Sequence, residues 1–554
     1  MVARIPRGIV FAAVCGWLVM LVVSTPRAQQ AAPPAGAAAR LPSGQAAHEG
    51  LSFQTADNCV ACHNGLTTAA GEDVSIGLAW RASMMANASR DPYWMAGVRR
   101  EIIDHPQAQA EIEDECTVCH MPMARTLAVA AGGRGEMFRL LPTTKGTTEQ
   151  HRLAADGVSC TLCHQIAPDK LGTPESFVGG YVVAPGPPRM QGPFEVDKGR
   201  TRIMQSATGV EPAQGKHIAQ SELCATCHTL VTRALAPDGS HVGSLPEQVP
   251  YQEWLHSAYR EERSCQSCHM PAVASTPIAS VLGEPRDALA RHTFLGGNFF
   301  MLRMLNRFRD QLAVEALPHE LDAAAHATIR QLQMDTATVA VTRAARTGAA
   351  LEFDVAVRNL TGHKLPTGYP SRRAWLHVTV IDEANRTVFE SGAIDRRGAI
   401  AGNDNDADAL RYEPHYEEIS RPDQVQIYES TMADMGGRLT TGLLNAVAFV
   451  KDNRLLPRGF DKGTAGDDIA VRGDARADGD FTAEGDTVRY RIPLEGPGGT
   501  LRVTVVLRYQ TIAFRWAENL RKYDAPEPRR FVSFWDEMSS ASSIDVAHTQ
   551  TIVR

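Results

Sequence analysis

Ten of the eleven cysteines in this 554-residue chain fall into five copies of one pentapeptide. They are Cys59-Val-Ala-Cys62-His63, Cys116-Thr-Val-Cys119-His120, Cys160-Thr-Leu-Cys163-His164, Cys224-Ala-Thr-Cys227-His228 and Cys265-Gln-Ser-Cys268-His269. Cys-x-x-Cys-His is the attachment signature of c-type haem. Two thiols three positions apart add to the two vinyl groups on one porphyrin edge, and the adjacent His reaches the iron as proximal ligand. Zinc ribbons, thioredoxin-like redox pairs and disulfides also use paired cysteines, but none requires a His after every second Cys. The pattern predicts five covalent c-type haems and their iron, with His63, His120, His164, His228 and His269 proximal. The eleventh cysteine, Cys15, lies in an N-terminal apolar run. No mature cysteine is left for a disulfide or an iron–sulfur cluster.

The first cysteines of successive motifs lie 57, 44, 64 and 41 residues apart. These gaps are short for independent domains. Residues 48–300 are therefore expected to form one pentahaem cytochrome c domain, mostly helices and loops wrapped around porphyrin. Haem would supply much of its apolar core, and the segment without haem is not expected to fold.

A His precedes each motif by seven to eleven residues: His48, His105, His151, His217 and His256. A second His on an iron makes it six-coordinate and low-spin, suited to electron transfer. An upstream His can serve its own haem or a neighbour's, and spacing does not decide which. His292, in Arg-His-Thr-Phe-Leu-Gly-Gly-Asn, is a further distal candidate, because its Gly-Gly allows close approach to a flat cofactor. Met85 is another, with a buried core methionine as the plainer reading.

Arg4 and Arg7 followed by the apolar run Gly8–Val23 read as a signal peptide over 1–28. An uncleaved leader would instead be an N-terminal membrane anchor. Residues 29–47, rich in Ala, Pro, Gly and Gln, read as a flexible linker. The rest is expected to be exported to a periplasm or to the cell surface. The chain's 56 basic and 63 acidic residues leave a net charge of −7, which argues against a nucleic-acid binder. Haem propionates would make it more acidic, so a basic redox protein is the expected kind of partner. Self-assembly is not addressed by any motif.

Residues 301–335 read as a helical connector, with Phe300, Leu302, Leu305 and Phe308 on one stripe. Beyond it the period changes to two. Leu351, Phe353, Val355 and Val357 alternate, as do Val488, Tyr490 and Ile492, and Leu501, Val503, Val505, Leu507 and Tyr509. Residues 336–554 are thus expected to form an antiparallel β-sandwich domain. The predicted fold class is α+β multidomain, a mostly helical and looped haem domain followed by that sandwich. The most specific local feature is Asn359-Leu-Thr-Gly-His363-Lys-Leu-Pro-Thr-Gly368. His363 either reaches across to a haem of the first half or is an ordinary turn histidine. Gly402-Asn-Asp404-Asn-Asp406-Ala-Asp408 resembles a calcium loop only superficially, since Ala409 and His415 stand where such a loop uses other residues.

The chain resembles the multihaem cytochromes c that include the tetrahaem electron acceptor of hydroxylamine oxidoreductase. The resemblance covers about residues 48–300. It rests on the five haem motifs, on Cys-His-Met-Pro at Cys119–Pro122 and Cys268–Pro271, and on Tyr251-Gln-Glu-Trp254. The Gly-His-x-x-Pro-Thr-Gly loop looks like a segment of β-domains fused to such cytochromes. The resemblance implies periplasmic electron transfer through stacked haems, with His105, His151, His217, His256 and His292 as distal-ligand candidates. The chain departs from it in having five motifs. It equals the pentahaem nitrite reductases in haem number but lacks their Cys-x-x-Cys-Lys site. Electron transfer through five mostly bis-His haems is the leading expectation. The alternative is a haem oxidoreductase acting on a small nitrogen or sulfur compound at one five-coordinate iron.

Overall fold

Period-two patterning in the second half becomes two larger sheets with a shared interior, beside a small three-stranded sheet of Leu439–Thr440, Ser430–Asp434 and Ala446–Asp452. The computed structural model describes residues 50–142, 148–494 and 498–554. The leader, the linker and His48 lie outside the described residues. One sheet has the strand order Glu418–Ile419, Asp486–Pro493, Ala350–Asn359, Ala337–Thr347. The second runs Thr387–Ser391, Arg373–Asp382, Leu501–Gln510, Ser543–Val553. Neighbours are antiparallel except for the short parallel pair of Glu418–Ile419 with Arg489–Tyr490.

Side chains alternate across each strand, so every second residue faces inward. Val488, Tyr490 and Ile492 are buried while Arg489 and Arg491 are exposed. Leu501, Val503, Val505, Leu507 and Tyr509 are buried on their strand. These residues join Phe353, Leu376 and Val378 in one apolar cluster fed by both sheets. Phe353 stacks on Tyr490 at 5.0 Å, and Phe389 of the other sheet meets the same Tyr490 edge-on at 6.3 Å.

The strand half also holds helices that period-two reading does not predict. Phe514–Leu520 and Pro526–Met538 lie between the last two long strands. They turn toward the first half: Arg99 pairs with Glu527 at 2.8 Å, and Tyr523 donates to Asp104 at 2.8 Å. Helices Phe299–Arg307 and Pro318–Asp335 occupy the expected connector, and Phe300, Leu302, Leu305 and Phe308 are all buried. Phe308 stacks on Phe534 at 3.7 Å.

The first half is built of short helices and loops, with one substantial hairpin, Leu230–Leu235 against His241–Gln248. Its longest helix, Pro92–Asp104, starts where it does because Asp91 caps it. Asp91 Oδ1 accepts from the Tyr93 and Trp94 amides, and Pro92 needs no such partner. All described residues belong to one compact unit. No described helix is long and apolar enough to cross a membrane.

Candidate cofactor-binding site

Each Cys-x-x-Cys-His motif begins in a helical segment: Asp57–Val60, Gln109–His120, Cys160–Cys163, Ser221–Ala225 and Cys265–His269. One helical turn sets positions i and i+3 on the same face, as a two-point attachment needs. All ten motif cysteines are half-buried. The motifs are also gathered together. The side chains of Cys59 and Cys160, of Cys119 and Cys227, and of Cys224 and Cys265 lie next to each other across motifs. The fourth motif therefore touches the second and the fifth, and the first touches the third.

The motif histidines share a second pattern. Nδ1 of His63 lies 2.6 Å from the Ile278 carbonyl, that of His120 2.9 Å from Ala88, and that of His164 2.6 Å from Gln191. Nδ1 of His269 meets the Leu295 carbonyl. A carbonyl only accepts, so Nδ1 carries the hydrogen and Nε2 keeps its lone pair. Such a bond on the far nitrogen is the usual support of a metal-ligating imidazole. Burial pushes the imidazole of His120 down to about 4 and lowers those of His164 and His269. The neutral form, the one that ligates, is thereby favoured. His228 makes no such carbonyl bond among the described residues and is an exposed residue.

Two of these rings face a second histidine. His292 lies opposite His164, with ring centres 6.2 Å apart and planes 18° from parallel. His363 lies opposite His269 at 6.2 Å and 17°. Both partners also place Nδ1 on a carbonyl, of Ala290 and Lys364 respectively, each at 2.9 Å. A metal–nitrogen bond of about 2 Å plus about 1.1 Å from nitrogen to ring centre, on both sides, gives about 6.2 Å. The spacing is too long for ring-on-ring contact and fits one metal ion between two imidazoles. The residues present thus suit an axially bis-His haem at these two places.

The remaining distal candidates differ. His105 is 2% exposed, and neither of its ring nitrogens has a protein partner. A buried imidazole with two orphaned nitrogens is costly unless it ligates. His217 is buried with Nε2 on the Ile166 carbonyl at 2.8 Å, and His256 has Nε2 on that of Asp461 at 2.9 Å. His151 has both nitrogens engaged, by the Thr148 hydroxyl at 2.5 Å and the Arg139 carbonyl at 3.0 Å. Met85 is half-buried, its carbonyl accepting from the Val158 amide. Among the described residues, His151 faces no motif ring. In the Gly-Gly after His292, a Cβ on Gly297 would lie 2.5 Å from the Tyr509 hydroxyl, while one on Gly296 would meet nothing within 4 Å.

Two groups in the strand half bear on metals. In the acidic loop, Asp406 is held bidentately by Arg373 at 2.9 and 2.8 Å, and Asp404 pairs with Arg411 at 2.6 Å. Guanidinium groups thus engage carboxylates that calcium would need. His415, Asp478 and Asp486 converge with ligand atoms within 4.8 Å of one another. However, the amides of Gln426 and Asn453 both donate to His415 Nδ1, at 2.8 and 3.1 Å. Their own oxygens are fixed by the Tyr416 and Glu429 amides. The hydrogen therefore sits on Nε2 and goes to Asp478 at 3.0 Å, so the nitrogen a metal would use is taken.

Sequence reading missed the buried charges around His363. Glu253, Lys364, Asp452 and Arg454 form a network in which no side chain exceeds 8% exposure. Glu253 and Lys364 lie inside two singled-out motifs, but nothing in the spacing pairs them.

No protein-family model matches the chain, and no curated protein matches it. Among solved structures, a penta-heme cytochrome c552 from Thermochromatium tepidum is similar at a TM-score of 0.48 and 16% identity. That alignment covers 90% of this chain and 98% of that chain. At such distance, the functional reading rests on the residues of this chain.

Proposed function

We propose that this protein is an exported multihaem c-type cytochrome that carries electrons through five covalently bound haems. The observation that carries the reading is the pair of facing rings, His164 with His292 and His269 with His363, each with Nδ1 on a carbonyl. Haem held there would supply one-electron chemistry. The protein's part is to hold each imidazole neutral and oriented, and to exclude water from the ring pairs. Contacts between motifs 1 and 3, 2 and 4, and 4 and 5 support closely spaced cofactors. The β-rich half, read as a sandwich, contributes His363 and so acts as part of the cofactor cage. A basic redox partner suits the acidic chain, and encounter would weaken with salt.

A second reading, a catalytic haem, has its own observation. His63, His120 and His228 face no second histidine ring among the described residues, and His105 can serve only one of them. Electron paramagnetic resonance of the oxidised holoprotein separates the readings. A spectrum with all five irons low-spin supports transfer. A high-spin signal that cyanide or nitrite converts supports an enzyme.

A further inference from the structure

We infer that Glu253 is a positioning residue, whose buried carboxylate sets the Gly362–Gly368 loop so that His363 stands opposite His269. The inference rests on the reading that His363 supplies an axial nitrogen. It gives the Tyr-Gln-Glu-Trp motif a physical role.

Glu253 lies on the short helix Pro250–Leu255, twelve residues before the first cysteine of the fifth haem motif. Its side chain is fully buried. One carboxylate oxygen, Oε2, accepts from the Lys364 amide at 3.1 Å and from the Thr367 hydroxyl at 2.5 Å. These two donors bracket the loop just after His363. The other oxygen, Oε1, is 2.8 Å from an Arg454 nitrogen, an ion pair without an aligned hydrogen bond. Arg454 in turn holds Asp452 at 2.9 and 2.7 Å, and Asp452 takes the Lys364 ammonium at 2.8 Å. Two acids and two bases balance, so the network can stay charged away from water.

The surrounding contacts leave the loop little freedom. Asn359 and Thr361 donate to the His363 carbonyl at 2.7 and 2.8 Å. Tyr259 donates to the Leu360 carbonyl at 2.7 Å, and a Cβ on Gly362 would come within 3.2 Å of Tyr259. Within the buried charge network, Glu253 is the acid that comes from the haem-motif half. It ties His363 to the chain segment that carries His269, so both rings are referenced to one short stretch.

The test uses the full-length holoprotein, with wild type, Glu253→Ala, Glu253→Gln, Thr367→Val and His363→Ala compared. Readouts are haem content by pyridine haemochrome, spin state by electron paramagnetic resonance, and response to added imidazole. His363→Ala should make one haem in five high-spin. Glu253→Ala should keep five haems, make a fraction of that same haem high-spin, and recover low-spin character with imidazole. Glu253→Gln keeps a side-chain oxygen for Lys364 and Thr367 and should stay low-spin. Should Glu253→Ala not accumulate, Thr367→Val, which removes one of the two loop donors, should show a smaller high-spin fraction. A wild-type spectrum in Glu253→Ala, or in Thr367→Val where that is the variant obtained, overturns the role of Glu253. A low-spin His363→Ala overturns the axial reading itself, which is a separate result.

Discussion

The ring of His363, from the β-rich half, stands 6.2 Å from that of His269, from the last haem motif, with the two planes 17° from parallel. Each ring has its Nδ1 on a backbone carbonyl, so each Nε2 keeps its lone pair. A residue 94 positions downstream thus faces the histidine of a motif that is read directly from the sequence.

Haem stoichiometry is the first consequence. The purified holoprotein should carry five haems by pyridine haemochrome assay, and its intact mass should exceed that of the mature polypeptide by five haem masses. Replacing Cys265 and Cys268 together by Ala should lower the count to four. A wild-type count other than five would overturn the attachment scheme.

The distal histidines should separate into two groups. His292→Ala and His363→Ala should each convert a different single haem to high-spin, and the double variant should show two. His151→Ala should leave the spin count unchanged, since both of its ring nitrogens are already engaged by protein groups. The check is quantitative electron paramagnetic resonance of the oxidised proteins.

Core packing of the strand half can be probed away from the haems. Phe353 is 1% exposed and stacks 5.0 Å from Tyr490. Phe353→Ala should cost about 3–5 kcal/mol through lost transfer energy and the cavity left behind. Far-ultraviolet circular dichroism during denaturant unfolding measures this, with haem content as the control.

One buried carboxyl should leave a mark on the pH profile of stability. Burial pushes Asp486 up to about 7, despite hydrogen bonds from Tyr428 and Gln426 that favour its charged form. Its folded value exceeds its unfolded value of 3.8. Between these limits the unfolded chain releases a proton that the folded chain keeps, so this group's contribution falls as pH rises from about 4 to about 7. The slope is at most about 1.4 kcal/mol per pH unit. Asp486→Asn should flatten that part of the profile, and a slope identical to wild type would refute the assignment.

Much of the candidate site is legible in the sequence because attachment is local chemistry. Two cysteines and a histidine within five residues meet one porphyrin edge and one iron whatever the fold around them. Alternation in Leu501–Tyr509 is equally local, since every second side chain of a strand shares a face. The distal side is another matter. A histidine seven to eleven residues upstream lies on the segment leading into its own motif, whereas a sixth ligand must reach the opposite porphyrin face. Chain proximity therefore pointed to His151, whose ring ends on Thr148 and Arg139. The rings found facing motif histidines, His292 and His363, arrive from far along the chain.

By itself, then, the sequence determined which residues form the five Cys-x-x-Cys-His motifs and which residues alternate in the strands. These follow from covalent reach and backbone periodicity. Only the tertiary structure decided that His292 faces His164, that His363 faces His269, and that Glu253 holds the loop between halves. Those pairings depend on directed contacts over a few ångströms between distant segments, and on buried charges that are stable only with every partner in place.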